Sequence, residues 1–255
     1  MHSDAVLRLH NTREGRCFIL GNGPSLLKQV DELAALKDEA TFCCNSFGRW
    51  KEAPFSPTYY GLTDMHDVEM MNPYIFPHLD MMRFQVGWEE DEHHKEFHWV
   101  DKAYGESQVH SNGLVGFGTK DECLCHMSDE LPSLPTGRTS PLTLMQIAIW
   151  MGYREFYFLG IEQTRGYVNE PDAVMSTTGR MEFPLDKNPK YQIAIQRSFE
   201  RARKDLESHG GTLIDCTPGG LLNETGQDFY RRGIQWRNIL EYKSLADVIK
   251  QEVRV

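Results

Sequence analysis

Arg16-Cys17-Phe18-Ile19-Leu20-Gly21-Asn22-Gly23-Pro24-Ser25-Leu26-Leu27 is the stretch on which the fold turns. Four apolar residues, Cys17 to Leu20, run into a glycine-bounded turn, and an amphipathic segment follows from Leu26 to about Leu36. That order is a strand, a tight turn and a helix start. The two glycines permit backbone angles that a Cβ forbids. Pro24 suits a first helical turn, where its missing N–H costs nothing. Such a turn offers backbone N–H groups and a helix N-terminus to an anion, so a nucleotide or another phosphate-bearing ligand is expected there. The spacing is neither G-x-G-x-x-G nor G-x-x-x-x-G-K-[ST], since Pro24 and Ser25 follow Gly23 directly. A strand-turn-helix without a ligand fits the same residues.

Outward from this unit, short apolar runs recur. Ala40 to Cys44 and Thr58 to Leu62 are the next strand candidates, followed by Asn45-Ser46-Phe47 and by Thr63-Asp64-Met65-His66-Asp67. Ligands of open α/β sheets bind beyond the C-terminal ends of the strands. Asn22, Asn45 and Asp64 each follow a predicted strand, which places three polar residues at equivalent positions. The region of about 68–137 is irregular, with a strand near Arg83 to Val86, and is expected to be an insertion. Periodicity returns at Thr139-Ser140-Pro141, a hydroxyl cap ahead of a proline. A helix from Leu142 to Met151 follows, apolar almost all round and therefore buried, with Gly152 ending it. Glu155 to Leu159 is a strand tipped by Gly160-Ile161-Glu162, and about 163–190 is a lid-like loop. A helix from about Tyr191 to His209, a strand from Thr212 to Cys216 and a closing helix from about Leu245 to Val253 complete the chain. The fold class is α/β: one Rossmann-like, mostly parallel, doubly wound sheet over 1–255, with the insertion and the lid-like loop.

The 255 residues carry 27 Lys and Arg against 37 Asp and Glu, a net charge of −10. That balance argues against broad electrostatic contact with nucleic acid. No apolar run approaches a membrane span, and the N-terminus lacks a signal-peptide pattern. A cytoplasmic protein is expected; peripheral membrane contact and a homo-oligomer are left open. None of the six cysteines forms a C-x-x-C pair, and Cys17, Cys43, Cys44 and Cys216 sit in or beside strands as reduced, buried thiols.

With these segments placed, the chain resembles bacterial CMP-sialic-acid-dependent sialyltransferases. The resemblance is carried by Gly21-Asn22-Gly23-Pro24-Ser25-Leu26, by Cys44-Asn45-Ser46-Phe47, by Thr139-Ser140 leading to Gly152-Tyr153 and Gly160-Ile161-Glu162, and by Cys216-Thr217-Pro218 with Leu221-Leu222. The same blocks resemble 6-hydroxymethylpterin pyrophosphokinase-like proteins, and together they cover roughly half the chain. The resemblance implies that Asn22 and Asn45 contact a nucleotide, and that Ser25 and the Gly21–Gly23 backbone lie beside its phosphate. It implies that Thr139 and Ser140 line the meeting point of nucleotide and donor, and it aligns Tyr167 with a tyrosine on the donor phosphate. The implied activity is glycosyl transfer from a nucleotide-activated, CMP-linked sugar to a glycan acceptor in surface glycan synthesis, with no required cofactor. Two departures stand out. The sialyltransferases carry a histidine base ahead of the long helix, whereas Lys187-Asn188-Pro189-Lys190-Tyr191 has none, and they carry Asn where Asp64 stands here. Asp64 would suit Mg²⁺ on a diphosphate, the pyrophosphokinase alternative. A non-catalytic nucleotide-binding protein is the third reading.

Several side chains are candidates for chemistry, each with a structural counterpart. Asp64, with His66 beside it, fits a general base or a helix cap. His110 could replace the missing histidine. Glu162, where the family has Asp, could orient the site or bind the acceptor. Arg138, ahead of a helix start, could pair with phosphate or form a surface ion pair. His94 and His98 share a face if helical, and Cys123, Cys125 and His126 lie close in sequence. Neither set has a zinc motif's order, and solvated or core roles fit both better.

Overall fold

Leu20 of the opening strand lies beside Leu159 in parallel register, and both strands of this pairing have further strands on their other sides. The computed structural model describes residues 4–63, 82–87, 98–101, 139–162, 189–223, 225, 230–231, 234–235 and 238–250. Its strands are β1 (Arg16–Leu20), β2 (Thr41–Cys44), β3 (Tyr59–Leu62), β4 (Met82–Gly87), β5 (His98–Asp101), β6 (Glu155–Leu159), β7 (Thr212–Asp215), β8 (Tyr230–Arg231), β9 (Ile234–Gln235) and β10 (Glu241–Tyr242). Eight of them form one sheet in the order β10-β7-β6-β1-β2-β3-β4-β5. Every pairing in it is parallel. β8 and β9 form a separate antiparallel ribbon.

The helices are α1 (Asp4–Leu7), α2 (Val30–Leu33), α3 (Ser140–Met151), α4 (Pro189–Ser208) and α5 (Leu245–Lys250). Strand residues alternate between two cores. Cys17, Ile19, Phe42, Cys44, Phe156 and Phe158 face α1, α3 and α4. Phe18, Leu20, Cys43, Tyr60, Leu62, Tyr157 and Leu159 face the 24–38 segment and α5. A sheet buried on both faces must be apolar along its whole strands. That is why these strands read as continuous apolar runs. The α/β, doubly wound expectation holds.

Helix α3 lies close against the sheet. Residues Leu142 to Ile149 and Met151 are buried, as its all-round apolar pattern required. A Cβ at Gly61 would overlap the Leu144 side chain, so Gly61 sets the distance between α3 and β3. Gly152 closes the helix at φ 116°, which a Cβ disfavours.

Several expected details differ. The segment after the glycine turn is not one helix. It is a 3₁₀ turn over Pro24–Lys28, then α2, then a second 3₁₀ turn over Ala34–Asp38. Gln29 breaks it: its side chain is buried and its Nε2 donates to the Cys216 carbonyl at 3.1 Å, which fixes φ −123° and ψ 19°. Thr139 caps α3 through its carbonyl, which accepts the Thr143 N–H at 3.2 Å, and not through its hydroxyl. Within the region expected as an insertion, β4 and β5 extend the main sheet. His98 opens β5 in extended conformation, which removes the helical spacing argued for His94 and His98. Among the described residues, Cys17, Cys43, Cys44 and Cys216 are buried free thiols, and no helix is long and apolar enough to cross a membrane.

Replacing Gly61 by Ala should cost about 1–3 kcal/mol through overpacking against Leu144. A urea denaturation midpoint equal to that of the unmodified chain would show that α3 has room to retreat.

Candidate functional site

Strands β1 to β5 advance to one side of the sheet, and the chain then returns to place β6 and β7 on the other side of β1. The order reverses between β1 and β6, which is where an open α/β sheet opens its crevice. The residues past β1, β2, β3, β6 and β7 share one rim because all five strands are parallel.

At the reversal itself the rim is laced shut. Gly21 N–H donates to the Leu159 carbonyl at 2.8 Å and Gly23 N–H to the Gly160 carbonyl at 2.9 Å. Ser25 N–H donates to Glu162 Oε1. Three N–H groups expected to meet a ligand phosphate are therefore bonded within the protein, the third by a carboxylate of the chain itself. The reason for the glycines is also corrected. Gly23 sits at φ −72° and ψ 149°, a conformation open to any residue. What excludes a Cβ is proximity: at Gly21 it would overlap the Gly160 carbonyl oxygen, and at Gly23 the Glu162 carboxylate. Gly160 is the residue of this contact with a left-handed backbone, at φ 65°.

Glu162 holds several strand ends together. Its carboxylate bonds the β1 turn, and its carbonyl accepts the Leu221 N–H at 3.2 Å from the segment after β7. Beside it, Ile161 N–H donates to Thr217 Oγ1 at 3.2 Å. Asp215, at the end of β7, is fully buried. Its carboxylate accepts the Thr217 N–H at 2.9 Å and Asn223 Nδ2 at 2.8 Å. Burial pushes its pKa up to about 7; the hydrogen bonds from Thr217 and Asn223 oppose the rise, and the nearby Glu162 carboxylate adds to it. Nothing in the sequence reading singled out Asp215, although an acid in an otherwise apolar strand was the available signal.

The second half of the rim lies over β2, β3 and the start of α3. Asn45 adopts φ 43°, a left-handed conformation uncommon outside glycine but tolerated by Asn. Its carbonyl accepts the Tyr60 hydroxyl. Its amide Nδ2 donates to Ser140 Oγ at 2.9 Å and to Thr63 Oγ1 at 3.4 Å, and its Oδ1 accepts the Thr63 N–H at 3.2 Å. Thr63 Oγ1 and Ser140 Oγ are 2.6 Å apart. Asn45 and Ser140, distant in sequence, are thus in direct contact. Thr63 joins them, so the residue that meets Ser140 at the end of β3 is Thr63, one position before the Asp64 expected as its polar tip.

Between the two halves, Asn22 Nδ2 points to Cys44 Sγ at 3.8 Å. Asn22 Oδ1, Ser25 Oγ, Thr139 Oγ1 and Glu162 Oε2 are buried atoms without a partner among the described residues. Buried polar atoms ordinarily have partners; these four belong to residues that follow β1 or β6 or precede α3. Asp64, His66, His110, Arg138 and Tyr167 lie outside the described residues, as do Cys123, Cys125 and His126, and with Asp64 the proposed Mg²⁺ ligand.

No protein-family model matches the chain, and no curated protein matches it. Among solved structures it is similar to a variant of the sialyltransferase Cst-II in complex with CMP, with 16% sequence identity, 88% of this chain and 91% of that chain covered, and a TM-score of 0.48. It is also similar to the sialyltransferase CstII from Campylobacter jejuni in complex with a substrate analogue, cytidine-5'-monophosphate, with 15% identity, 88% and 90% covered, and a TM-score of 0.39.

Asp215 generates a pH dependence. Its folded pKa of about 7 exceeds that of an unfolded Asp, so the folded state binds the extra proton between about pH 4 and 7. Its contribution to stability therefore falls as pH rises through that window, by a few kcal/mol at most. Denaturation at pH 4.5 and 7.5 should show the Asp215→Asn variant losing less stability on the way up than the unmodified chain; equal losses would mean that Asp215 is ionised throughout.

Proposed function

We propose that this chain is a glycosyltransferase that takes its sugar from a CMP-linked donor and passes it to a glycan acceptor, in the manner of sialyltransferases. The observation that carries the reading is convergence. The blocks that resemble the sialyltransferases, separated by up to more than a hundred residues, meet on one rim. Asn22, Asn45, Thr139, Ser140 and Glu162 all stand at the C-terminal edge of the sheet or at the α3 N-terminus that faces it.

In this reading the two halves of the rim divide the work. The Asn45–Ser140 contact sits at the start of a twelve-residue helix, whose first turn and dipole favour an anion. Fixed donors there would stabilise the CMP phosphate as the sugar leaves, which is preorganised electrostatic catalysis. No metal is needed for that stabilisation. The β1–β6 half, with its internal carboxylate, would repel a phosphate. Its unpartnered oxygens at Asn22 and Glu162 accept hydrogen bonds, and they suit the uncharged portion of the nucleotide. Asp64, His66 and His110 remain the proposed sources of a general base, with Tyr167 and Arg138 proposed on the donor phosphate. A role in surface glycan synthesis follows from the proposed donor class.

Thermal denaturation with CMP, CDP, ATP and GTP, each with and without Mg²⁺, tests the reading. CMP or CDP at a hundredfold excess over its Kd should stabilise the protein by about 2.7 kcal/mol without metal. A shift with ATP or GTP plus Mg²⁺ alone would replace glycosyl transfer with pyrophosphoryl transfer, and no shift with any nucleotide would remove both. Asn45→Ala should abolish the CMP shift, since it deletes the donor to Ser140 and the acceptor for Thr63; a variant that binds CMP as before would mean that the nucleotide lies elsewhere.

A further inference from the structure

The Asn45–Thr63–Ser140 contact can be counted proton by proton. The amide oxygen of Asn45 accepts the Thr63 backbone N–H, which fixes the side chain with its nitrogen toward the two hydroxyls. The two Nδ2 protons go to Ser140 Oγ and Thr63 Oγ1. Both hydroxyl oxygens are therefore acceptors toward Asn45. At 2.6 Å from each other, one of them must also donate to the other. That uses one hydroxyl proton of two and leaves the other without a partner inside the triad. Thr63 is 9% exposed, and Ser140 is the more open of the pair. With Thr63 donating, Ser140 Oγ receives two hydrogen bonds and its own proton is directed out of the triad.

We propose that Thr63 is a positioning residue of the nucleotide site: it orients Asn45 and Ser140 so that the Ser140 hydroxyl is presented as a hydrogen-bond donor to a ligand oxygen. The inference rests on the reading of this rim as the CMP site. Two further features support it. Asn45 is held in a left-handed conformation that few residues other than Gly and Asn adopt readily; the Thr63 N–H and the Tyr60 hydroxyl bond its side chain and carbonyl there. The Ser140 hydroxyl stands at the N-terminus of α3, where the helix dipole favours an electron-rich ligand atom. Two hydrogen bonds received at Ser140 Oγ also polarise its O–H and make it a stronger donor.

The test is CMP affinity by calorimetry on the full chain. Thr63→Val keeps the shape and the backbone N–H but removes the hydroxyl; it should weaken CMP binding roughly five- to tenfold. Thr63→Ser restores the hydroxyl and should bind within twofold of the unmodified chain, which guards against a folding artefact in the valine variant. The decisive arm is the double variant. If Thr63 acts through Ser140, then adding Thr63→Val to Ser140→Ala should cost nothing further. Full additivity would mean that Thr63 meets the ligand itself or acts elsewhere, and would overturn the proposal. So would unchanged affinity in Thr63→Val while the unmodified chain binds CMP. Absence of CMP binding by the unmodified chain would remove the functional reading and this inference together.

Discussion

The Glu162 carboxylate against the Ser25 N–H is the interaction on which the rim depends. A carboxylate that accepts a backbone N–H is among the stronger hydrogen bonds available to a protein. Here it draws the turn after β1 onto the end of β6 so tightly that neither Gly21 nor Gly23 has room for a Cβ. The opening strand and the strand beside it are thereby fastened beyond the Leu20–Leu159 end of their ladder, at Gly23 with Gly160 and at Ser25 with Glu162. Because the rim at the strand-order reversal is bonded within the chain, the proposed ligand groups are those along and to one side of it, from Asn22 toward Asn45, Thr139 and Ser140.

Two polar clusters result, with opposite electrostatic character. Around Glu162 and Asp215 the rim is rich in acceptors and carries two carboxylates close enough to influence each other. Around Asn45 it carries amide and hydroxyl donors at a helix N-terminus. A ligand with an anionic end and a hydroxyl- or amine-rich end would be oriented by that contrast before any specific contact is made. Both clusters are built at the ends of elements: Asp215 is the last residue of β7, Glu162, Asn45 and Thr63 follow strand ends, and Ser140 opens α3.

The sheet was legible in the sequence because every central strand is buried on both faces and appears as an uninterrupted apolar run. The buried α3 was legible for the same reason, and Gly152 marked its end. The segment after the glycine turn has the apolar spacing of one helix, yet it folds as three short pieces. What interrupts it, the Gln29 side chain reaching the Cys216 carbonyl, joins residues far apart in sequence. The positions of Asn22, Asn45, Ser140 and Glu162 at strand ends or a helix start were visible from the pattern. The use of Glu162 was not, because a carboxylate binding the chain's own N–H has the same sequence signature as one awaiting a ligand. Thr63 was hidden by its neighbour: the acid next to it attracted the functional reading, and only the register of β3 shows which residue meets Ser140.

The pairing of β1 with β6 has a consequence for how the chain is made. Arg16 lies opposite Glu155, so the central strand cannot acquire its second neighbour until about 140 further residues have left the ribosome. At 5–20 residues per second that wait is on the order of 10–30 s. During it β1 can pair with β2 on one side while its other edge, flanked by Phe18, Ile19 and Leu20, stays open to any strand that meets it. The nascent chain therefore carries an edge open to mispairing in mid-synthesis, and a chaperone that shields that edge would guard the central strand until β6 is made.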